Sequence, residues 1–163
     1  MDSFNLRGKT ALVLGIANRW SIAYAIADLL QAHGVRLVIT YQNERIGTEV
    51  RKLTSAWTNV LYLPCELTDD AQIDAVFAQI KAELGQLNHL IHCIAFADRT
   101  ELQGEFRKIS RGGFHTAMDI SAYSLIAVAQ RAESAKAGVD PIDNRVIGPS
   151  VLVTEEALKY SAI

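Results

Sequence analysis

"LVLGIANRWSIA", residues 12–23, contains the transition that decides the fold. An apolar run ends at Gly15, a polar turn follows, and helical periodicity begins near Trp20. A strand that leads through a glycine-containing turn into a helix presents free backbone N–H groups and the positive end of the helix dipole. We expect a pyrophosphate to bind there, with Gly15 allowing close backbone approach and Ser21 donating its hydroxyl. Because no GxGxxG pattern is present, the glycine alone more often indicates an ordinary turn.

The rest of the chain alternates short apolar strands with longer helices. This alternation predicts a doubly wound α/β fold, with a parallel sheet of four to five strands covered by helices on both faces. Strands are predicted at residues 10–14, 36–40, 60–63 and 89–95, with a candidate fifth strand at 151–153. Helices are predicted at 20–32, 43–56, 114–135 and from an N-cap at Thr68 to Leu84. The segments 98–113 and 136–150 read as a loop and as turns.

The composition predicts one globular domain over residues 1–163. Half of the residues are hydrophobic and the formal net charge is -2, which argues against a nucleic-acid partner. Cys65 and Cys93 belong to no CxxC or Cys/His cluster, so we expect reduced thiols and no metal site. No apolar run approaches about 18 residues and the first residues do not resemble a secretory signal, so we expect a cytoplasmic protein with no membrane partner.

Five motifs occur in an order and spacing that resemble one family, the NADH-dependent enoyl-acyl-carrier-protein reductases of fatty-acid synthesis. The resemblance covers residues 6–131 and implies a Rossmann-like cofactor-binding part of a divergent short-chain dehydrogenase/reductase. Residues 136–163 look like a divergent tail, with the family's catalytic part missing or replaced. The motifs are "LVLGIANRWSIAYAIA" at 12–27, "TYQNE" at 40–44, "LPCELTDD" at 63–70, "LIHCIAFAD" at 90–98 and "GFHTAMDISAYSL" at 113–125.

The resemblance implies an NAD(H) site made of ten residues. It assigns Gly15, Ala17, Ser21 and Ile22 to the pyrophosphate and nearby ribose. It assigns Gln42, Glu66 and Leu67 to the adenosine end, and Cys93, Ile94 and Ala95 to the nicotinamide ribose. Gln42 is neutral, as in family members that use NADH, but it rejects a 2′-phosphate less firmly than an acid would. Arg45 keeps NADPH open as a minor alternative. Glu66 stands where the family usually has aspartate, and Ala95 where many members have glycine.

The family's catalytic pair is absent from the sequence. In that family a tyrosine stabilises and protonates the developing enolate, and a lysine seven positions later holds the nicotinamide ribose. None of the five tyrosines here has a lysine seven positions later, or four positions later as in ordinary short-chain dehydrogenases. Tyr123 lies in "DISAYS", which resembles the family's long interface helix. We therefore assign no catalytic residue.

Three hypotheses follow from these observations. The chain is an enoyl reductase acting on an enoyl thioester of acyl carrier protein, or its NAD(H)-binding half without turnover, or a truncated subunit that acts through self-association without a cofactor. A sheet edge left open beyond the fourth strand would favour pairing with another copy, so we expect a homo-oligomer. We favour the second hypothesis, because the cofactor-binding motifs are intact whereas the tyrosine–lysine pair that supplies the acid is absent.

Overall fold

The computed structural model describes residues 6–134 and 145–147, which form a parallel five-stranded sheet with helices on both faces. The strand order is β3-β2-β1-β4-β5, so the chain reverses direction across the sheet next to β1. The doubly wound prediction is therefore confirmed. The strands are β1 (Thr10–Leu14), β2 (Arg36–Tyr41), β3 (Val60–Pro64), β4 (His89–His92) and β5 (Arg145–Ile147). The helices are α1 (Ile22–Ala32), α2 (Glu44–Leu53), α3 (Asp70–Leu84), α4 (Arg111–Met118) and α5 (Ser124–Ser134).

Alternation along the strands divides the core into two layers. Because successive side chains of a strand point to opposite faces, neighbours in β1 enter different layers. Leu12 and Leu14 pack in the layer that contains apolar residues of α3 and α5. Ala11 and Val13 pack in the layer that contains apolar residues of α1 and α2. All five residues of β1 are buried, as expected for a central strand covered on both faces.

Side-chain caps define where α2 and α3 begin. The Asn43 side chain accepts a hydrogen bond from the backbone N–H of Ile46 and starts α2. Asp69, and not the predicted Thr68, is the N-cap of α3, and its carboxylate accepts from the N–H groups of Ala71 and Gln72. The prediction was wrong by one residue because a carboxylate at this position can serve both free donors.

The segments predicted as loop and as one long helix differ in the structure. A 3-10 turn forms at Phe106–Lys108, and α4 begins at Arg111, where the Ser110 hydroxyl accepts from the N–H of Gly113. The predicted helix 114–135 consists of α4, a π-helical turn at Asp119–Tyr123 and α5. The loop prediction missed the start of α4 because two glycines in its first turn lower the helical signal.

The fifth strand is not where the sequence indicated. Residues 145–147, predicted as turn, form β5 and pair in parallel with β4, so that Leu90 faces Val146. The edge of β4 is therefore covered by the chain itself, and the expectation of an open edge there was wrong. The predicted strand at 151–153 lies outside the described residues.

Candidate functional site

The turn after β1 requires glycine at its first position for two reasons. Gly15 has φ +101°, a conformation that other residues rarely adopt. A Cβ atom on Gly15 would lie 2.1 Å from the carbonyl oxygen of Cys93. The close approach is thus between the ends of β1 and β4, which are also joined by a 3.1 Å hydrogen bond from the N–H of Cys93 to the carbonyl of Leu14.

Ser21 organises the turn that leads into α1. Its Oγ accepts hydrogen bonds from the N–H groups of Ala17 and Asn18, at 3.1 and 3.0 Å. Although Ser21 is the N-cap residue of α1, its side chain makes no capping hydrogen bond to that helix. Ser21 Oγ donates to no acceptor among the residues that the structure describes. The hydroxyl hydrogen is therefore available to a ligand.

The first turn of α1 carries no compensating acid and begins with an exposed residue. No acidic residue lies in it, and the side chain of Ile22 is 64% exposed. Trp20, just before the helix, is 84% exposed. Free N–H groups and the positive end of the helix dipole at such a terminus favour an anion. This terminus has the chemistry that a pyrophosphate needs.

The segment after β4 is anchored on the π-helical turn. The Oγ of Ser121 donates to the carbonyl of Phe96 and accepts from its N–H, at 3.1 and 2.9 Å. Cys93 is half-buried, and burial raises the pKa of its thiol, so the thiol stays protonated at neutral pH. Ile94 is partly buried against the core, and Ala95 is exposed. This segment therefore presents backbone and a neutral thiol next to Gly15.

A buried pair lies behind the same segment. Nε2 of His92 is 2.7 Å from Oγ of Ser124, and that hydroxyl donates to the carbonyl of Ile120. Both side chains are almost fully buried. Burial lowers the pKa of His92, so the imidazole is neutral at pH 7. Sequence analysis assigned no role to Ser121 or Ser124, whose only signal was their position in a motif of the family's helix.

The ends of β2 and β3 also carry a pair of candidate residues. The side-chain amide of Gln42 donates to a carboxylate oxygen of Glu66 at 2.7 Å. The N–H of Glu66 donates to the side-chain oxygen of Gln72 at 2.9 Å, which ties this position to α3. Leu67 packs against the core layer that contains α3. The two segments are thereby held together across 24 residues of sequence.

The ten predicted site residues follow the carboxyl ends of β1 to β4 or enter α1. In a parallel sheet these ends lie at one edge, which is where ligands bind in open α/β folds. The structure brings Gly15 against Cys93, Ala17 against Ser21, and Gln42 against Glu66. Among the residues that the structure describes, no hydrogen bond links the Gln42–Glu66 contact to either of the other two contacts.

Potential metal ligands and tyrosine hydroxyls are further groups of chemical interest within residues 6–134 and 145–147. No group of three potential metal ligands occurs there. The Tyr41 hydroxyl is engaged with Glu44 and Arg51, and the Tyr62 hydroxyl with Thr54. In the same part of the chain, no helix combines the length and the apolar composition that crossing a bilayer requires.

Comparisons with known proteins agree on one family. A family model described as Enoyl-(Acyl carrier protein) reductase matches residues 15–157. The NADH-dependent enoyl-acyl-carrier-protein reductase FabI of Bacillus cereus is 47% identical over 130 residues, which are 78% of this chain and 51% of that protein. The corresponding FabI of a Nostoc species is 46% identical over 132 residues, 79% of this chain and 51% of that protein. The chain spans about half the length of the curated relatives it matches.

Solved structures give the same result. The Bacillus cereus reductase crystallised with NADP+ and an indole naphthyridinone superposes with a TM-score of 0.77 at 45% identity, covering 80% of this chain and 52% of that one. The Anaplasma phagocytophilum reductase in complex with NAD gives a TM-score of 0.76 at 34% identity, covering 83% of this chain and 52% of that one. At 45% and 34% identity, these similarities indicate a shared family as well as a shared fold.

Proposed function

The chain belongs to the enoyl-(acyl carrier protein) reductase family, and we propose that it forms the NAD(H)-binding half of such an enzyme. The observation that carries the proposal is the first turn of α1, which begins at the exposed Ile22, contains no acid and is not capped by the Ser21 side chain. We assign the pyrophosphate and the adjoining ribose to this terminus, where the Ser21 hydroxyl and the turn that begins at Gly15 would contact them.

The remaining candidate residues are assigned to the two ends of the cofactor. Gln42, Glu66 and Leu67 would contact the adenosine end, and Cys93, Ile94 and Ala95 the nicotinamide ribose. NADH, when bound, would supply a hydride, and the residues of this chain would bind and orient the cofactor. The thiol of Cys93, which burial keeps protonated, adds no charge beside the nicotinamide end.

The substrate of the family is proposed as an enoyl thioester carried by acyl carrier protein. We propose that this chain alone does not reduce it, because the sequence contains no tyrosine–lysine pair to stabilise and protonate the enolate. The comparisons do not favour the alternative of a cofactor-free interaction subunit. A homo-oligomer stays part of the proposal, and it is supported by four exposed apolar side chains in α4, the π-helical turn and α5: Phe114, Met118, Tyr123 and Ile126.

The test introduces a carboxylate where the pyrophosphate is proposed to bind. An Ile22→Asp substitution places a negative charge in the first turn of α1, where it stabilises the helix through the dipole. Folding is therefore preserved, while NADH affinity falls by about tenfold or more through charge repulsion. Leu29→Asp is the matched control, because Leu29 is 61% exposed on the same helix but lies away from its N-terminus.

Calorimetric titration with NADH measures both variants and the wild type. Absence of heat from the wild-type chain at millimolar NADH would overturn the proposal. Equal affinities of Ile22→Asp and Leu29→Asp would remove the pyrophosphate from this terminus. A second assay follows NADH oxidation in the presence of a crotonyl thioester. Turnover at a rate typical of the family would show that this chain does contain a catalytic acid.

A further inference from the structure

Glu66 is held by hydrogen bonds at both of its carboxylate oxygens. One oxygen accepts from the side-chain amide of Gln42 at 2.7 Å. The other accepts from the N–H and the hydroxyl of Thr68, both at 3.2 Å. The β2–β3 register explains the meeting, because Tyr41 lies opposite Pro64 and the two chains leave the sheet side by side. The carboxylate is thereby fixed at the edge where the adenosine end is proposed to lie.

The carboxylate of Glu66 carries its charge at neutral pH. Partial burial raises its pKa, but the hydrogen bonds from Gln42, Thr68 and Leu67 outweigh that effect and hold the pKa below its usual value. Gln42 itself is exposed. One amide hydrogen of Gln42 is committed to Glu66, so the amide oxygen next to it is oriented as an acceptor.

This pair differs from the acid that usually ends the second strand of a dinucleotide-binding fold. There a single carboxylate accepts the ribose 2′-hydroxyl and repels a 2′-phosphate. Here the residue after β2 is a neutral glutamine, and the negative charge comes from the end of β3, in hydrogen-bond contact with it. An amide acceptor suits a hydroxyl donor, whereas a phosphate at the same place meets a fixed negative charge.

We infer that Glu66, acting beside and through Gln42, is the residue that makes this site select NAD(H) over NADP(H). The inference rests on the proposed NAD(H) site and adds the basis of its selectivity. Arg45, exposed in the first turn of α2 and three residues after Gln42 in sequence, is a cation that would act in the opposite direction. The fixed carboxylate is expected to dominate, because it is hydrogen-bonded in place whereas the Arg45 side chain is exposed.

The experiment compares the dissociation constants of NADH and NADPH in three variants of the full chain. Glu66→Gln removes the charge and keeps the length of the side chain. Glu66→Asp keeps the charge but shortens its reach towards Gln42. Glu83→Gln is the matched control, because Glu83 accepts from the Gln79 amide at 2.8 Å on the exposed surface of α3, in an equivalent Gln–Glu pair within one helix.

We expect the wild type to bind NADH more tightly than NADPH. In Glu66→Gln the preference for NADH over NADPH falls by about tenfold, mainly because NADPH binds more tightly. This fall is smaller at high salt, which screens the charge of the carboxylate. Glu66→Asp retains most of the preference and Glu83→Gln all of it. The dependence on salt separates a charge effect from a merely structural one.

The outcomes distinguish this inference from the proposed function. A wild-type chain that binds NADH but shows the same NADH-to-NADPH ratio as Glu66→Gln overturns the inference and leaves the proposed function standing. Tighter binding of NADPH by the wild type does the same. A wild-type chain that binds neither nucleotide overturns both.

Discussion

Gly15→Ala is expected to destabilise the fold by far more than an ordinary glycine substitution. At φ +101° an alanine carries backbone strain of about 1–3 kcal/mol. Its Cβ would also lie 2.1 Å from the Cys93 carbonyl oxygen, so the ends of β1 and β4 must separate by about 1 Å or more. That movement weakens the bond from Cys93 N–H to the Leu14 carbonyl, at a further cost of about 1 kcal/mol. Together these effects amount to about 2–4 kcal/mol.

The matched control is Gly85→Ala. Gly85, the C-cap residue of α3, also has a positive φ of +75°, but a Cβ there would meet nothing within 4 Å. Its substitution therefore carries the backbone strain without the collision, and we expect a loss of about 1 kcal/mol. The difference between the two variants isolates the contact between the two strand ends.

Urea unfolding followed by tryptophan fluorescence measures the difference. Trp57 stacks on Tyr24 with ring centroids 5.3 Å apart, so its emission reports on the packing of the folded chain. With a typical m-value of about 2 kcal/mol/M, Gly15→Ala should unfold about 1 M below Gly85→Ala. Coincident unfolding midpoints of the two variants would refute the reasoning from the Cys93 contact.

Two further predictions concern the same stability measurement. Gly47→Ala should destabilise the chain although alanine is the better helix former, because a Cβ at Gly47 would lie 2.7 Å from two ring atoms of Tyr41. The control is Gly112→Ala, which should be neutral or stabilising because the nearest atom to its Cβ would be 3.9 Å away. A Gly47→Ala variant that is more stable than the wild type would contradict this prediction. Because burial lowers the pKa of His92 in the folded chain, the unfolded chain takes up the proton first as the pH falls below about 6.5, and wild-type stability should decrease in that range. A His92→Gln variant with the same pH dependence between about 7.5 and 5.5 would exclude His92 as the cause.

The central strands were predictable from the sequence because their pattern is local. Runs of four to six apolar residues between helices specify buried parallel strands, and β1 begins and ends as predicted. The start of α1 was predicted two residues early, since Trp20 is bonded through its N–H to the Asn18 side chain in the turn. Local hydrogen bonds of that kind compete with the helix and are not visible in an apolar pattern.

Features that depend on distant partners could not be predicted in this way. β5 has only three residues, flanked by residues typical of turns, and it exists through pairing with β4 more than fifty positions earlier. The Gln42–Glu66 contact likewise requires the β2–β3 register and the particular length of the glutamate side chain. The family resemblance assigned both residues to the adenosine end, but the sequence contained no signal that one side chain binds the other.

The role of Gly15 illustrates a different limit of sequence reasoning. The sequence correctly indicated that only a small residue fits, and the implied reason was room for a pyrophosphate. In the structure the space is taken by the backbone of Cys93, a constraint that exists without any ligand. A Gly15→Val substitution would therefore lose cofactor by disturbing the fold. The exposed Ile22 avoids this ambiguity, because an acid there stabilises its helix while it opposes an anion, so the effects on folding and on binding have opposite signs.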